Sequence, residues 1–279
     1  MFPDYLNVSA AELGQGTNVK IKVETDFASI GRAVARDMLE EILRAKEAGR
    51  EATLIVPVGP VDQFPILAGI LNEKKISIRD VVLINMDEYL TDADELIPTE
   101  HPLSFRGYMD RLFYQRLDPS LAPKPENRIF PDPKNLGAIQ KIIDARDGLD
   151  ATFGGIGING HMAFNEPPEP GEKISDKEFA ALPTRVLSLT RETRTINSNT
   201  VGGEISIIPH RAVTVGMKEI LASRRLRFYC NRVWQSAVVR RVLHGPITAN
   251  CPASFIRTHP DASFTLADFV AAPPSIQLR

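Results

Sequence analysis

The sequence predicts an α/β fold with three layers stacked as αβα, in which helices cover both faces of a mostly parallel sheet. Short runs of β-branched and apolar residues alternate with helix-like stretches along most of the 279 residues, which is the pattern of repeated strand–helix units. Several runs are continuously apolar, as in strands that are buried on both faces of a sheet. The composition, 43% hydrophobic and 24% charged, is that of a globular domain. We predict a single domain over residues 1–279.

The strands and helices are assigned in chain order from these runs. A strand at 19–23 precedes a helix at 27–47, whose predicted apolar face comprises Ile30, Ala33, Val34, Met38, Ile42 and Leu43. Further strands are predicted at 52–56, 81–85, 151–154, 184–189, 212–215, 226–230 and 263–266. Further helices are predicted at 64–71, at 101–117, in a short stretch closed by Ile220, and at 234–243 before Gly245. The proline-rich stretches 118–133 and 167–183 are predicted to be long surface connections, the second a mobile lid.

Charge and composition exclude several classes of function. The net charge of −2 comes without a basic block, which argues against nucleic-acid binding. No apolar run reaches the roughly 18 residues of a membrane span, and the N-terminus lacks the features of a signal peptide, so we expect a cytoplasmic protein. Cys230 and Cys251 are expected to be free thiols. The five histidines form no zinc-binding pattern, so no metal is expected.

A pair of carboxylates follows the predicted strand at 81–85. Ligands of parallel α/β sheets bind beyond the carboxyl ends of the strands, where Asp87 and Glu88 lie. A partly shielded carboxylate in such a place can act as a general base. The alternative is that Asp87 caps a helix or sits in a turn.

A glycine-rich turn follows the strand at 151–154. Four glycines within residues 154–160 permit close approach of a ligand to the backbone. Pro167 ends the segment too early for a dinucleotide-binding loop. The turn brings Asn159, His161 and Glu166 together, and histidine suits proton transfer near neutral pH. The alternative is a structural histidine in a tight turn.

The two motifs, Asn-Met-Asp-Glu-Tyr at 85–89 and Gly-Gly-Ile-Gly-Ile-Asn-Gly-His-Met-Ala-Phe-Asn-Glu-Pro at 154–167, resemble those of the glucosamine-6-phosphate deaminase family. Segments 100–105, 184–198, 212–217 and 252–260 are similar to the family in the same order. The sister family, 6-phosphogluconolactonase, shares the Gly-His turn but continues it with Ala-Ser-Leu-Phe-Pro.

The resemblance implies a modified Rossmann-like fold and an aldose–ketose isomerisation coupled to deamination. His161, oriented by Glu166 and Asn159, would open the sugar ring, and Asp87 would move a proton from C2 to C1 before ammonia leaves. No metal or organic cofactor is implied, and the family includes both hexamers and monomers. The positions that would contact the substrate are Gly59, Pro60, Val61, Asp62, Glu88, Gly155, Gly157, Gly160, Arg185, Asn199 and Arg232.

The sequence departs from the family at the phosphate site. Where the family has a Gly-Gly-Thr turn, this chain has Gly59-Pro60-Val61 followed by Asp62. Pro60 has no N–H to donate, and Asp62 is expected to cap the next helix and to repel a phosphate. The family also has an arginine where Asn199 stands and a lysine near Trp234 or Gln235, and Arg232 is the best replacement.

The substrate therefore stays open between a sugar phosphate and an unphosphorylated amino sugar. Two further hypotheses are a lactonase-type hydrolase and a non-catalytic sugar-binding protein. The small-molecule partner is a sugar in each case.

Overall fold

The computed structural model describes residues 2–59 and 62–277. In chain order the strands are β1 (Val19–Glu24), β2 (Thr53–Val56), β3 (Val82–Asn85), β4 (Asp87–Leu90), β5 (Arg128–Ile129), β6 (Ala151–Gly154), β7 (Arg185–Ser188), β8 (Arg211–Thr214), β9 (Leu226–Cys230) and β10 (Ala262–Ala267). The α-helices are α1 (Phe27–Glu47), α2 (Gln63–Glu73), α3 (Phe105–Leu112), α4 (Ala138–Ala145), α5 (Asp176–Ala180), α6 (Arg191–Asn197), α7 (Met217–Leu221), α8 (Gln235–His244) and α9 (Asp268–Ala271).

A seven-stranded sheet forms the centre of the molecule, in the order β1-β10-β9-β6-β2-β3-β5. All of its neighbouring strands are parallel. Every residue of β2, β3 and β6 is buried, as their continuous apolar runs predict. Helices flank the sheet, so the predicted αβα architecture is confirmed.

Helix α1 has the bounds that its periodicity predicts. Asp26 accepts a hydrogen bond from the Ser29 N–H and so caps the helix. Five of the six residues of the predicted apolar face are fully buried. The prediction for the sixth, Leu43, is wrong, because this residue is 37% exposed. Leu43 follows Ile42 by about 100° around the helix, which turns it away from the sheet.

A second sheet of three antiparallel strands, in the order β4-β8-β7, is the main feature that the sequence pattern did not predict. Asp87 opens β4 and so lies in a strand, not in a turn or at a helix cap. Met86 joins the two sheets, because its N–H donates to Val56 and its carbonyl accepts from Val215. The small sheet is therefore attached at the carboxyl ends of β2 and β3.

Two connections contain more regular structure than predicted. The helix predicted at 101–117 is shorter: it is capped by Ser104, ends at Leu112, and is followed by a 3₁₀ turn at Tyr114–Arg116. The stretch 118–133 contains β5, and the stretch 167–183 contains α5, whose Phe179 is buried.

None of the helices in 2–59 and 62–277 is long and apolar enough to cross a membrane. Cys230 and Cys251 are both buried and free, as expected.

Candidate active site

Asp87 lies where the two sheets meet. In the small sheet it is paired with Thr214 of β8, and Thr214 is paired on its other side with Arg185 of β7. Cross-strand partners project from the same face of a sheet. Asp87, Thr214 and Arg185 therefore form one row.

The carboxylate of Asp87 is poorly solvated. The residue is only 9% exposed, and no hydrogen bond to its side chain is found within 2–59 and 62–277. Burial, and secondarily the charge of Glu88, raises the pKa of Asp87 from 3.8 to about 8. A carboxyl group with such a pKa is a much stronger base, once ionised, than a solvated aspartate.

The side chain of Glu88 projects from the face of β4 opposite to Asp87, and it is not placed to contact a substrate as predicted. It has no exposed surface. Its two carboxylate oxygens accept hydrogen bonds from the Ser104 hydroxyl, from the Phe105 and Arg106 N–H groups, and from the Arg106 side chain. Glu88 thus anchors the first turn of α3, where a negative charge is favourable. We correct its role from substrate binding to positioning of β4.

His161 is held in a turn whose glycines are required by space and backbone geometry. A Cβ on Gly157 would lie 2.1 Å from two atoms of the imidazole ring. Gly160 has a φ of +92°, and a Cβ there would lie 2.7 Å from the sulfur of Cys251. At Gly155 the nearest atom would be 3.6 Å away, an ordinary contact. Gly157 and Gly160 therefore shape the turn, and Gly155 does not constrain it in this way.

The Nδ1 atom of His161 lies within a cluster of polar groups. It is 2.8 Å from Asn159 Oδ1, 3.2 Å from Thr193 Oγ1 and 3.3 Å from Glu166 Oε2. The Asn159 amide in turn donates to the same Glu166 oxygen at 2.7 Å. This network assigns the proton to Nδ1. Nε2 has no partner in the described part of the chain and is free for proton transfer.

The pKa of Glu166 is shifted in the opposite direction from that of Asp87. Burial alone would raise its pKa, but the hydrogen bond and charge of His161, with hydrogen bonds from Asn159 and Thr193, lower it to about 2. Glu166 stays ionised at neutral pH and stabilises a positive charge on the imidazole. Two carboxyl groups whose environments drive their pKa values apart are a mark of acid–base sites.

β8 connects the two halves of the site. The Thr214 hydroxyl accepts from the Phe164 N–H at 3.0 Å, and the Asn165 amide donates to the Val215 carbonyl at 2.9 Å. Phe164 also packs against Tyr89 and Phe105 with ring-centroid distances of 5.6 and 6.3 Å. The segment that carries His161 and Glu166 is thereby fixed to the strand next to Asp87.

The predicted substrate turn is only partly described. Pro60 and Val61 lie outside the described residues, and Gly59 and Asp62 are exposed on either side of them. The prediction that Asp62 caps α2 is wrong, because its side chain makes no cap hydrogen bond. Pro65 occupies the third position of α2 and has no N–H to offer.

The carboxylate of Asp62 instead faces α3. Its charge contributes, after burial, to a pKa of about 12 for Tyr108. Gln63, next along, is buried and donates to the Val58 and Pro57 carbonyls. The turn therefore presents one exposed carboxylate at the start of α2.

The three remaining predicted contact residues differ in their surroundings. Arg185 is partly buried and donates to Asn165 Oδ1 at 2.6 Å, which places it beside the segment that carries His161 and Glu166. Arg232 is exposed, with its guanidinium 4.8 Å from the centre of the Phe27 ring. Asn199 is exposed and donates to the carbonyl of Ile196 in its own turn.

Thr193 was not predicted, although its hydroxyl contacts His161. It is fully buried in α6, a helix capped by Thr190. The Thr-x-x-Thr spacing indicates a capped helix, but nothing in it indicates the distant histidine. Over the described ranges, no group of three or more His, Cys, Asp or Glu side chains is placed to hold a metal ion.

Comparison with known proteins finds relatives by sequence and by structure. No family model matches the chain. Curated relatives named glucosamine-6-phosphate deaminase include those of Serratia proteamaculans, at 29% identity over 242 residues (85% of this chain, 86% of the relative), and Porphyromonas gingivalis, at 27% over 248 residues (86% and 88%). A third, from Mycolicibacterium smegmatis, is 28% identical over 264 residues (93% and 94%).

Solved structures show the same fold. A monomeric glucosamine-6-phosphate deaminase superposes with a TM-score of 0.77 at 24% identity, covering 91% of this chain and 99% of that one. The 6-phosphogluconolactonase of Thermotoga maritima superposes with a TM-score of 0.65 at 15% identity, covering 90% and 100%.

The relatives by sequence are enzymes, and this chain is an α/β enzyme in which Asp87 and His161 follow the carboxyl ends of β3 and β6. The chain is similar in sequence to glucosamine-6-phosphate deaminases, and it shares its fold with a solved deaminase and with 6-phosphogluconolactonases.

Proposed function

We propose that the protein converts an amino-sugar aldose, such as glucosamine 6-phosphate, into a ketose with release of ammonia. The observation that carries the proposal is the contrast between two carboxyl groups of the candidate site. Asp87 is buried with a pKa of about 8, and Glu166 is held near 2 beside His161. The chemistry requires a base for a carbon-bound proton and a separate group that shuttles a proton to oxygen.

The first step opens the sugar ring. His161 Nε2 transfers a proton from the C1 hydroxyl to the ring oxygen as the C1–O5 bond breaks, leaving an open-chain aldehyde. The Nδ1 cluster of Asn159, Thr193 and Glu166 fixes the ring, and the Glu166 carboxylate stabilises the transient imidazolium.

The second step moves a proton along carbon. Ionised Asp87 removes the C2 proton while the aldehyde oxygen takes up a proton from solvent, which forms an enolamine, and Asp87 then returns its proton to C1 as an iminium forms at C2. Water adds to this iminium, and ammonia and one proton, which offsets the proton that the oxygen had taken up, leave with formation of the ketose. A raised pKa favours this step because a stronger base removes a carbon-bound proton more readily.

An unphosphorylated amino sugar is the second candidate substrate. The exposed carboxylate of Asp62 at the start of α2 favours it, because a negative charge at a helix N-terminus opposes the binding of a phosphate. Arg232, held over Phe27, favours the phosphate ester instead.

The cytoplasmic location and self-association stay predictions.

An ammonia-release screen over phosphorylated and free amino sugars tests the proposal. We expect release from at least one of them and loss of about 100-fold or more in Asp87→Asn. Asp92→Asn is the matched control, because Asp92 lies close by in sequence but its side chain is 85% exposed. A lactonase would keep its activity in Asp87→Asn, and a sugar-binding protein would release no ammonia from any sugar.

A further inference from the structure

A second cavity lies at the opposite edge of the central sheet from Asp87. It has a volume of about 310 Å³ and lies at the amino ends of β3 and β5. We call it the amino-edge cavity, and it is lined by Arg79, Tyr114, Gln115, Leu117, Pro119, Ala122, Pro123, Lys124, Pro125 and Arg128. None of these residues belongs to the site described above.

The amino-edge cavity is positively charged. Arg79, Lys124 and Arg128 line it, and no acidic residue does. The carboxylate of Asp80, next to Arg79 in the chain, is 2.5 Å from the Lys124 ammonium. The hydrogen bond and charge of Lys124, followed by the charges of Arg79 and Arg146, lower the pKa of Asp80. The side chains that line the cavity itself therefore carry three positive charges and no negative one.

Two of these cations keep donors available. Arg128 is fixed with its guanidinium 4.5 Å from the centre of the Tyr114 ring, and its Nε donates to Pro123. Its two terminal nitrogens have no partner in the part of the chain that is described. The Arg79 guanidinium likewise has no hydrogen bond or ion pair within 2–59 and 62–277.

The backbone on both sides of the cavity is tied together. The Ile78 N–H donates to Leu121, and the Lys124 N–H donates to Arg79, both at 2.9 Å. The Asn127 amide also donates to the Arg79 carbonyl at 3.0 Å. The cations therefore project from a fixed frame, which lowers the entropic cost of binding a ligand.

We propose that the amino-edge cavity binds the phosphate group of a small phosphate monoester. Arg79 and Arg128 supply the charged donors that a phosphate requires. The apolar part of the lining, which includes Leu117, Ala122 and Pro123, packs against the carbon skeleton of the ligand. The proposal is independent of the reaction proposed above, since the cavity lies at the other end of the strands.

The test is a titration of the ¹⁵N-labelled protein with inorganic phosphate and with glycerol 3-phosphate at constant ionic strength. Glycerol 3-phosphate has no aldehyde or amine and so is not a substrate for the proposed reaction. We expect saturable amide shifts at residues 78–80 and 117–128, with tighter binding of the ester than of inorganic phosphate.

Variants decide whether the named cations bind the ligand. Arg79→Ala and Arg128→Gln should each weaken glycerol 3-phosphate by about tenfold or more, since each removes a charged hydrogen-bond donor. Lys20→Ala is the control, because Lys20 is 74% exposed on β1 at the far edge of the sheet. Arg79 is exposed and contributes no packing, so its variant remains informative if Arg128→Gln is unstable.

The proposal is overturned by the absence of saturable shifts at these residues. It is also overturned if the shifts occur only around 155–161, or if Lys20→Ala weakens binding as much as Arg79→Ala.

Discussion

Replacement of Asp87 by Asn should change how protein stability depends on pH. In the folded protein the pKa of Asp87 is raised from 3.8 to about 8. Between these two values the unfolded chain loses this proton and the folded chain retains it. The folded state therefore loses stability as pH rises, by about 1.4 kcal/mol for each pH unit inside this window.

The magnitude follows from that slope. From about pH 5 to pH 8, the free energy of unfolding of the wild type should fall by on the order of 3 kcal/mol relative to Asp87→Asn. Asn has a shape similar to that of Asp but does not ionise. The difference in unfolding free energy between the two proteins therefore isolates the titration of Asp87, since the contributions of the other groups are common to both. The variant should be the more stable protein at pH 8.

Urea unfolding at several pH values, followed by circular dichroism, measures this difference. Asp92→Asn serves as the control for the loss of an exposed carboxylate, since its side chain is 85% exposed and lies 3.7 Å from His210 Nδ1; a surface pair of this kind contributes little, so its difference from the wild type should be the smaller one. If the free energy of unfolding changes with pH in the same way for the wild type and Asp87→Asn, the argument that burial disfavours the ionised form of Asp87 is refuted.

Three further predictions concern activity and the frame of the site. The kcat/KM of the wild type should rise with pH and level off above about pH 8, because Asp87 acts as a base only after it loses its proton; a flat profile between about pH 6 and 9 would contradict this. Gly157→Ala should lower kcat by about 100-fold, since its Cβ would lie 2.1 Å from ring atoms of His161, whereas Gly155→Ala, with 3.6 Å of room, should stay active; equal activities would count against the proposed proton shuttle. Glu88→Ala should cost about 3 kcal/mol in urea unfolding, because it leaves the donors of α3 and a partly buried arginine unpaired; a loss below about 1 kcal/mol would show that the anchor is dispensable.

Much of the central sheet could be predicted because its strands have a local signature. The apolar runs of β2, β3 and β6 and the periodicity of α1 depend only on which residues are buried. The small sheet has a weaker signature, since β4 begins with Asp87 and Glu88. Two acidic residues disfavour a strand in isolation, and their place there is set by pairing with β8 and by the hydrogen bonds at α3.

The candidate site was predictable where its members are close in sequence. Asn159, His161 and Glu166 lie in one turn, and the structure brings them into hydrogen-bonding distance. Thr193 reaches the same histidine from another helix, and no spacing in the sequence signals such a contact. At Asp62, Pro65 at the third position of α2 removes one of the two N–H groups from which a capping side chain accepts.

The most direct test of the proposed chemistry follows the C2 hydrogen itself. Glucosamine 6-phosphate labelled with deuterium at C2 is incubated with the wild type and with Asp87→Asn, and the positions of the label are read by NMR. If Asp87 moves a proton from C2 to C1, the wild type should remove the label from C2 and transfer part of it to C1 of the ketose. The Asp87→Asn variant should leave it in place. Release of ammonia from the labelled sugar by Asp87→Asn at the wild-type rate, or equal loss of the C2 label with both proteins, would contradict the assignment of Asp87 as the base.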